Sequence, residues 1–298
     1  GDRPGDGKGA MTRSLPHFRR MVIAGVGLIG GSLALACREK GVVSEIIGVG
    51  RGEKNLQDAV ALKVIDSYTF KIEDAVRGAD LVVLATPVKS LARLAGEMAS
   101  SLSPGAIVTD VGSVKGPVVR IEEMMPPAVH FVGAHPIAGK ERSGVKAASP
   151  SLFKGARCIL TPTSKTDPDA LNRVHALWEM AGSHVIIMDP ARHDRIFAAV
   201  SHLPHLVAYA LVNTLLDLEK SEEGVISYSA GGFRDFTRIA ASHPEMWKDI
   251  CLMNRENIIE MLEKYEATIG RFKSFIRSGD ADALYNEFER ARQVREKL

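Results

Sequence analysis

The chain has 298 residues, 38 basic and 36 acidic side chains, a formal net charge of +2 and 45% hydrophobic residues. That length suits two domains of ordinary size, and the near-neutral charge gives no general electrostatic case for nucleic acid or an acidic membrane surface. No uninterrupted apolar run approaches the roughly 18 residues that a bilayer span needs. The cysteines Cys37, Cys158 and Cys251 are odd in number and far apart, as expected of a reduced cytoplasmic protein with buried thiols.

Residues 1–18 are Gly-rich and polar, lack the apolar core of a signal peptide, and are expected to be a disordered leader. "RMVIAGVG" (20–27) is a β-rich run ending in glycines. "LIGGSLALACREKG" (28–41) has helical character, with Gly41 as its stop. "EIIGVG" (45–50) reads as the next strand, followed by runs at 79–88, 105–114, 130–136, 156–163 and 183–189. Stretches of helical period, such as 90–100, separate most of them. Near-continuous apolar strands alternating with helices predict an α/β fold with a doubly wound, mostly parallel sheet covered on both faces. After Pro190 no β-rich run appears. The three- and four-residue spacing of apolar side chains predicts helices there, including an amphipathic stretch from Met246 to Ile276. "SGDAD" (278–282) breaks one helix and caps another. Pro204 implies a kink that aims His205 into a cleft between the two halves.

Gly25-Val26-Gly27-Leu28-Ile29-Gly30 is a GxGxxG between a strand and a helix, the context that makes this pattern a dinucleotide fingerprint. The first glycine allows the tight turn, the second admits the pyrophosphate to the backbone, and the third lets helix and strand pack. Leu28 and Ile29 open the helix whose N-terminus faces the phosphates. Thr86, at the end of the 79–88 run, is assigned to the same site. About 20 residues on, where NAD enzymes place an acid for the ribose, this chain has Gly50-Arg51-Gly52, with Glu53 further along, which binds the ribose and favours NAD if the turn folds it back. Arg51 is either a contact for the 2′-phosphate of NADP or a solvated residue stacked on the adenine. Residues 19–190 are thus expected to form a Rossmann-type dinucleotide-binding domain, and residues 191–298 a helical domain for substrate binding and dimerisation.

A dinucleotide domain followed by a helical one suggests a dehydrogenase, which needs a base for a hydroxyl proton and cations for an anionic substrate. Candidates are His135 in "GAHPIAGKERSG" (133–144), Ser113 and Lys115 after "VTDVG", and Arg234 and Arg238 in "GGFRDFTRIA" (231–240). His202 and His205, three residues apart, lack a carboxylate or cysteine nearby that would complete a metal site. His193 is read either as a capping or hinge residue or as a ligand.

Together "GVGLIGGSLA", "DVGSVKG", "GAHPIAGKERSG", "SHLPHLVAYAL" and "GGFRDFTRIAASHPEMWKDI" resemble the prephenate/arogenate (cyclohexadienyl) dehydrogenase family. The resemblance runs from about Arg20 to the C-terminal helices. It implies oxidative decarboxylation of a cyclohexadienol dicarboxylate with NAD or NADP in tyrosine biosynthesis. His135 would accept the proton of the C4 hydroxyl, Ser113 would orient that hydroxyl and the nicotinamide, and Arg238 would grip a substrate carboxylate. Glu141 and His205 would shape the substrate pocket, Arg234 would stand near it, and the helical domain would form a homodimer. No fused domain is expected before Arg20 or after the C-terminal helices, and neither a nucleic acid nor a membrane is expected as partner. A β-hydroxyacid dehydrogenase of similar build would want a lysine on the first helix of the second domain, and 192–216 contains none. A dinucleotide sensor without catalysis would need none of His135, Ser113 and Arg238.

Overall fold

The computed structural model describes residues 16–139 and 143–298. The leader expected over 1–18 lies outside the described residues except at its end, where Phe18 already opens the first strand. The chain runs β1 (Phe18–Ala24), α1 (Leu28–Glu39), β2 (Val43–Val49), α2 (Glu53–Ala61), β3 (Ser67–Thr69) and α3 (Ile72–Ala75). It continues through β4 (Leu81–Leu84), α4 (Leu91–Met98), β5 (Ile107–Asp110) and β6 (His130–Val132). These strands pair in parallel in the order β3-β2-β1-β4-β5-β6, the order of a dinucleotide-binding sheet. Every residue of the central strands β4 and β5 is buried, which is why β4 reads as an unbroken apolar run rather than an alternating one.

The 130–136 run departs from the single strand expected of it. It breaks at Gly133, where a Cβ would come within 2.5 Å of Thr161 Oγ1, so only glycine permits this approach. Beyond it, β7 (Ala134–Ile137) starts a second sheet with β8 (Arg157–Leu160) and β9 (His184–Ile187). β7 lies antiparallel to β8, and β9 parallel to β8. His135 therefore sits within an edge strand of that sheet and not at the end of a parallel strand. Between β8 and β9, α5 (Pro168–Met180) starts with Asp167 accepting the Ala170 N–H at 2.8 Å and Pro168 in the first turn, a self-sufficient N-terminus. Its Trp178 packs edge-on against Phe153, ring centroids 5.1 Å apart.

The chain packs as two compact units: residues up to Asp194 together with Pro244–Met253, and Arg195–His243 together with Asn254–Leu298. In the first unit α6 (Pro190–Phe197) begins, and α9 (Pro244–Met253) buries Trp247 and Ile250. The second unit holds α7 (Leu203–Glu219), α8 (Gly231–Thr237), α10 (Arg255–Ser278) and α11 (Ala281–Arg295). The stretch read as one amphipathic run from Met246 is thus two helices, separated at Asn254, a buried side chain that donates to His202 Nδ1 at 3.1 Å. As the "SGDAD" signal predicts, α10 ends at Gly279 with φ 67°, and Asp280 caps α11 by accepting the Ala283 N–H at 2.9 Å. The helix around Pro204 has a π turn at Ala198–His202, just before the proline. Proline lacks the N–H of a regular ladder and crowds the preceding turn, so the disturbance falls on its N-terminal side.

The helical unit has little core of its own, and Leu216, Phe236, Ile276 and Phe288 are each half exposed or more. By length and composition alone, the helix from Pro190 to Glu219 suffices to cross a bilayer, with a window mean hydropathy of 1.4. Cys37 and Cys158 are buried, and Cys251 is half-buried. Burial pushes the Cys37 thiol up to about 12 and raises Cys158 as well, so both remain protonated thiols packed as small apolar groups.

Candidate active site

The glycine turn after β1 shows why those glycines stand there. Gly25 has φ 96°, and a Cβ on it would lie 2.5 Å from the Ala85 carbonyl oxygen. Gly27, the N-cap of α1, faces open space, and no side chain caps the helix. The first N–H groups of α1 are thereby left to an anionic ligand. Asn55, on α2, braces the turn: its Nδ2 donates to Val26 O at 2.7 Å and its Oδ1 accepts the Val145 N–H at 3.2 Å. Nothing in the spacing of the sequence marks this residue.

A cavity of 1140 Å³ opens on this turn and is lined by Gly25, Gly27, Gly50, Arg51, Asn55 and Thr86, among others. It lies where the strand order reverses between β1 and β4, the switch point at which doubly wound sheets take dinucleotides. Gly30 is buried in the first turn of α1, and Leu28 and Ile29 are half-buried there; these three position the turn rather than line the cavity. Arg51 is exposed, while Glu53 begins α2, accepts from Gln57 on its own helix and is not among the lining residues. Thr86 is half-buried and accepts from Ser90 Oγ at 2.8 Å.

A second constellation lies in the same unit, around His135. Its Nδ1 is 2.8 Å from His193 Nε2, and His193 Nδ1 is 2.8 Å from Asp194 Oδ1. His193 is fully buried, and that burial holds its pKa below the ordinary 6.5 against the pull of Asp194. The ring is therefore neutral at neutral pH. With a carboxylate on Nδ1, the single proton of His193 sits there and its Nε2 bears a lone pair. That lone pair accepts the proton of His135 Nδ1, so a neutral His135 keeps its own lone pair on Nε2. Two buried side chains thus dictate the tautomer of the third.

Asp194 is held in turn, its Oδ1 accepting the Lys115 N–H at 2.8 Å and its Oδ2 the Gly116 N–H at 2.7 Å. This ties the 111–116 loop, with half-buried Ser113, to the histidine pair. His193 is thus no mere cap or hinge, and neither it nor Asp194 carries a local sequence signal, since the contacts span 58 and 79 residues. Lys115, a candidate for gripping an anionic substrate, is fully buried, with its ammonium paired with Asp110 in the core.

The remaining candidates belong to the second unit or fall outside the described residues. Glu141, with Lys140 and Arg142 of the same loop, lies outside the described residues. Arg234 is exposed on α8, and Arg238 is exposed where a 3-10 turn, Arg238–Ala241, follows it in the helical unit. His205, half-buried on α7, donates from Nδ1 to Ser201 O at 2.8 Å, and burial lowers its pKa. Among the described residues no group of three His, Cys, Asp or Glu side chains is placed to hold a metal.

A parallel sheet of dinucleotide-binding order with a crevice at its switch point defines the class of nicotinamide-dependent oxidoreductases. Known proteins narrow that class. The nucleotide-binding domain of prephenate dehydrogenase matches residues 33–187, and the dimerization domain of prephenate dehydrogenase matches residues 189–290. The chain belongs to the prephenate dehydrogenase family. It is 37% identical over 280 residues to prephenate dehydrogenase of Bacillus subtilis, covering 93% of this chain and 76% of that one. It is 36% identical over 279 residues to cyclohexadienyl dehydrogenase of Zymomonas mobilis, covering 93% and 95%. Its fold superposes with a TM-score of 0.87 on the crystal structure of prephenate dehydrogenase from A. aeolicus in complex with hydroxyphenyl propionate and NAD+. That pair shares 40% identity and covers 94% of this chain and 98% of the other.

Proposed function

We propose that this protein catalyses oxidative decarboxylation of prephenate to 4-hydroxyphenylpyruvate, or of arogenate to tyrosine, in tyrosine biosynthesis. The observation that carries the reading is the line Asp194–His193–His135, which holds a base with its lone pair on Nε2. His135 Nε2 accepts the proton of the C4 hydroxyl as hydride leaves C4, and returns it to the phenol oxygen once the ring is aromatic. The carboxylate at C1 leaves as CO2, and its electron pair stays in the ring. The nicotinamide, when bound, supplies the hydride acceptor.

Aromatisation makes the step strongly downhill, so positioning and one polarising base suffice. Ser113 orients the hydroxyl, and Arg238 binds a substrate carboxylate with the bidentate fork that suits it. Arg234, His205 and Glu141 border the substrate. The Gly25–Gly30 turn receives the pyrophosphate, an assignment supported by the uncapped start of α1 and the open face of Gly27.

Both NAD and NADP are accepted in this reading, because Arg51 lines the cavity and Glu53 does not. The exposed apolar faces of the helical unit, including Leu216 and Phe288, are buried in a cytoplasmic homodimer; a monomer in light scattering at micromolar concentration contradicts that.

The test is a steady-state assay of prephenate and arogenate with each cofactor, on wild type and His135→Asn. The variant is expected to bind substrate while losing about 100- to 10,000-fold in kcat. A variant with more than half the wild-type kcat removes His135 from the mechanism.

A further inference from the structure

The deepest charges in the first unit belong to Asp110, the last residue of β5, and Lys115, five residues on; both are fully buried. An ion pair taken out of water loses hydration that its attraction does not fully return, and apolar side chains of similar volume often fill such a place at less cost. A role in stability alone therefore explains the pair poorly. Its hydrogen bonds point elsewhere.

β7 is an edge strand of its sheet, so polar groups on its outer side lack a neighbouring strand to receive them. At Ala134, the residue before His135, both of these groups go to the ion pair. Asp110 Oδ1 accepts the Ala134 N–H at 3.1 Å, and Lys115 Nζ donates to the Ala134 carbonyl at 2.7 Å while also bonding Asp110 Oδ2. Asp110 Oδ2 also accepts the Gly112 N–H at 2.8 Å. The main-chain N–H of the same lysine donates to Asp194 Oδ1, the oxygen that receives His193 Nδ1.

We propose that Lys115, paired with Asp110, is a positioning residue for the reaction at His135. Its side chain clamps the backbone that carries the base, and its N–H clamps the carboxylate that orients the base's histidine partner. The backbone origin and the ring orientation of His135 are thus referred to one residue that never touches substrate. The inference rests on the reading of His135 as the base.

Lys115→Met alone strands the Asp110 charge in the core and is expected to destabilise the fold. The informative variant is Lys115→Met/Asp110→Asn, which removes both charges while Asn still accepts the Ala134 N–H. With kcat normalised to NAD-binding sites counted by calorimetry, the double variant should lose about 10- to 100-fold, the cost of a misplacement near 1 Å, with KM nearly unchanged. Substrate deuterated at C4 should show a larger isotope effect than in wild type, because the chemical step becomes more rate-limiting. A purely structural role lowers the number of binding sites but moves neither the normalised kcat nor the isotope effect.

A folded double variant with wild-type normalised kcat and isotope effect overturns the proposal. If the double variant does not accumulate, Lys115→Leu/Asp110→Asn, which again leaves no stranded charge and fills the space with a different apolar shape, is judged by the same two readouts. The underlying reading fails separately: an active His135→Asn sinks it, whereas an inactive His135→Asn beside a fully active double variant sinks only the role of Lys115.

Discussion

His135 Nδ1 and His193 Nε2 are 2.8 Å apart across 58 residues of sequence. This contact makes one histidine the setting screw of the other. His193→Gln offers an amide in place of an obligate acceptor, so His135 is no longer confined to the tautomer with its lone pair on Nε2. We expect kcat to fall by about ten- to a hundredfold, less than for loss of the base itself. Unchanged kcat at neutral pH would mean that His135 finds its tautomer without His193.

In the proposed function, Arg238 meets a charge that exists before the reaction begins. Arg238→Ala is expected to raise KM by a factor corresponding to roughly 2–3 kcal/mol of charge-assisted binding, with a smaller effect on kcat. A KM for both prephenate and arogenate equal to that of wild type rules out the carboxylate contact.

At the turn after β2, Arg51 lines the cavity, and Glu53, the first acid after β2, does not. Arg51→Ala should selectively weaken NADP, by about 1.5–3 kcal/mol if the contact is well aligned. Gly50→Asp should shift the kcat/KM ratio toward NAD. Equal losses with both cofactors in Arg51→Ala would place the arginine on the adenine instead.

Stability should depend on acid through His193, whose pKa is lowered by burial. The unfolded chain then binds more protons than the native one below the unfolded value of 6.5. The stabilisation is present above that pH and is lost as pH falls toward the folded pKa, at up to about 1.4 kcal/mol per pH unit. Urea midpoints at pH 7.5 and 5.5 test this, and the drop should be smaller in His193→Gln. An equal drop in the two proteins assigns the acid sensitivity elsewhere.

The alternation of buried strands and helices, and the glycine turn after β1, were legible because they obey local rules. Gly25 needs its positive φ, and the buried strands need apolar side chains on both faces. His135 and Ser113 could be singled out through the resemblance of their loops. The supports of His135 could not. Asp194 reaches the 111–116 loop from far along the chain, and Lys115 looked like a ligand for substrate because sequence cannot distinguish a surface lysine from one paired in the core. The break at Gly133 was hidden for a related reason: a glycine between apolar residues reads as a small member of one strand until Thr161 arrives beside it.

That break has a further bearing on how the protein tolerates change. β7 is four residues long and is locked to β8 by His135 opposite Ile159. Side chains along a strand alternate between its two faces, so their direction is a matter of parity. One residue inserted or deleted between Gly133 and His135 would reverse that parity, turning the imidazole toward the side where Ala134 and Pro136 are now buried. A two-residue change would preserve the facing and shift the base along the strand by about 6.6 Å. Length variation just upstream of the histidine should therefore be forbidden at odd counts by direction and at even counts by distance, leaving this short segment free to change its letters but not its number.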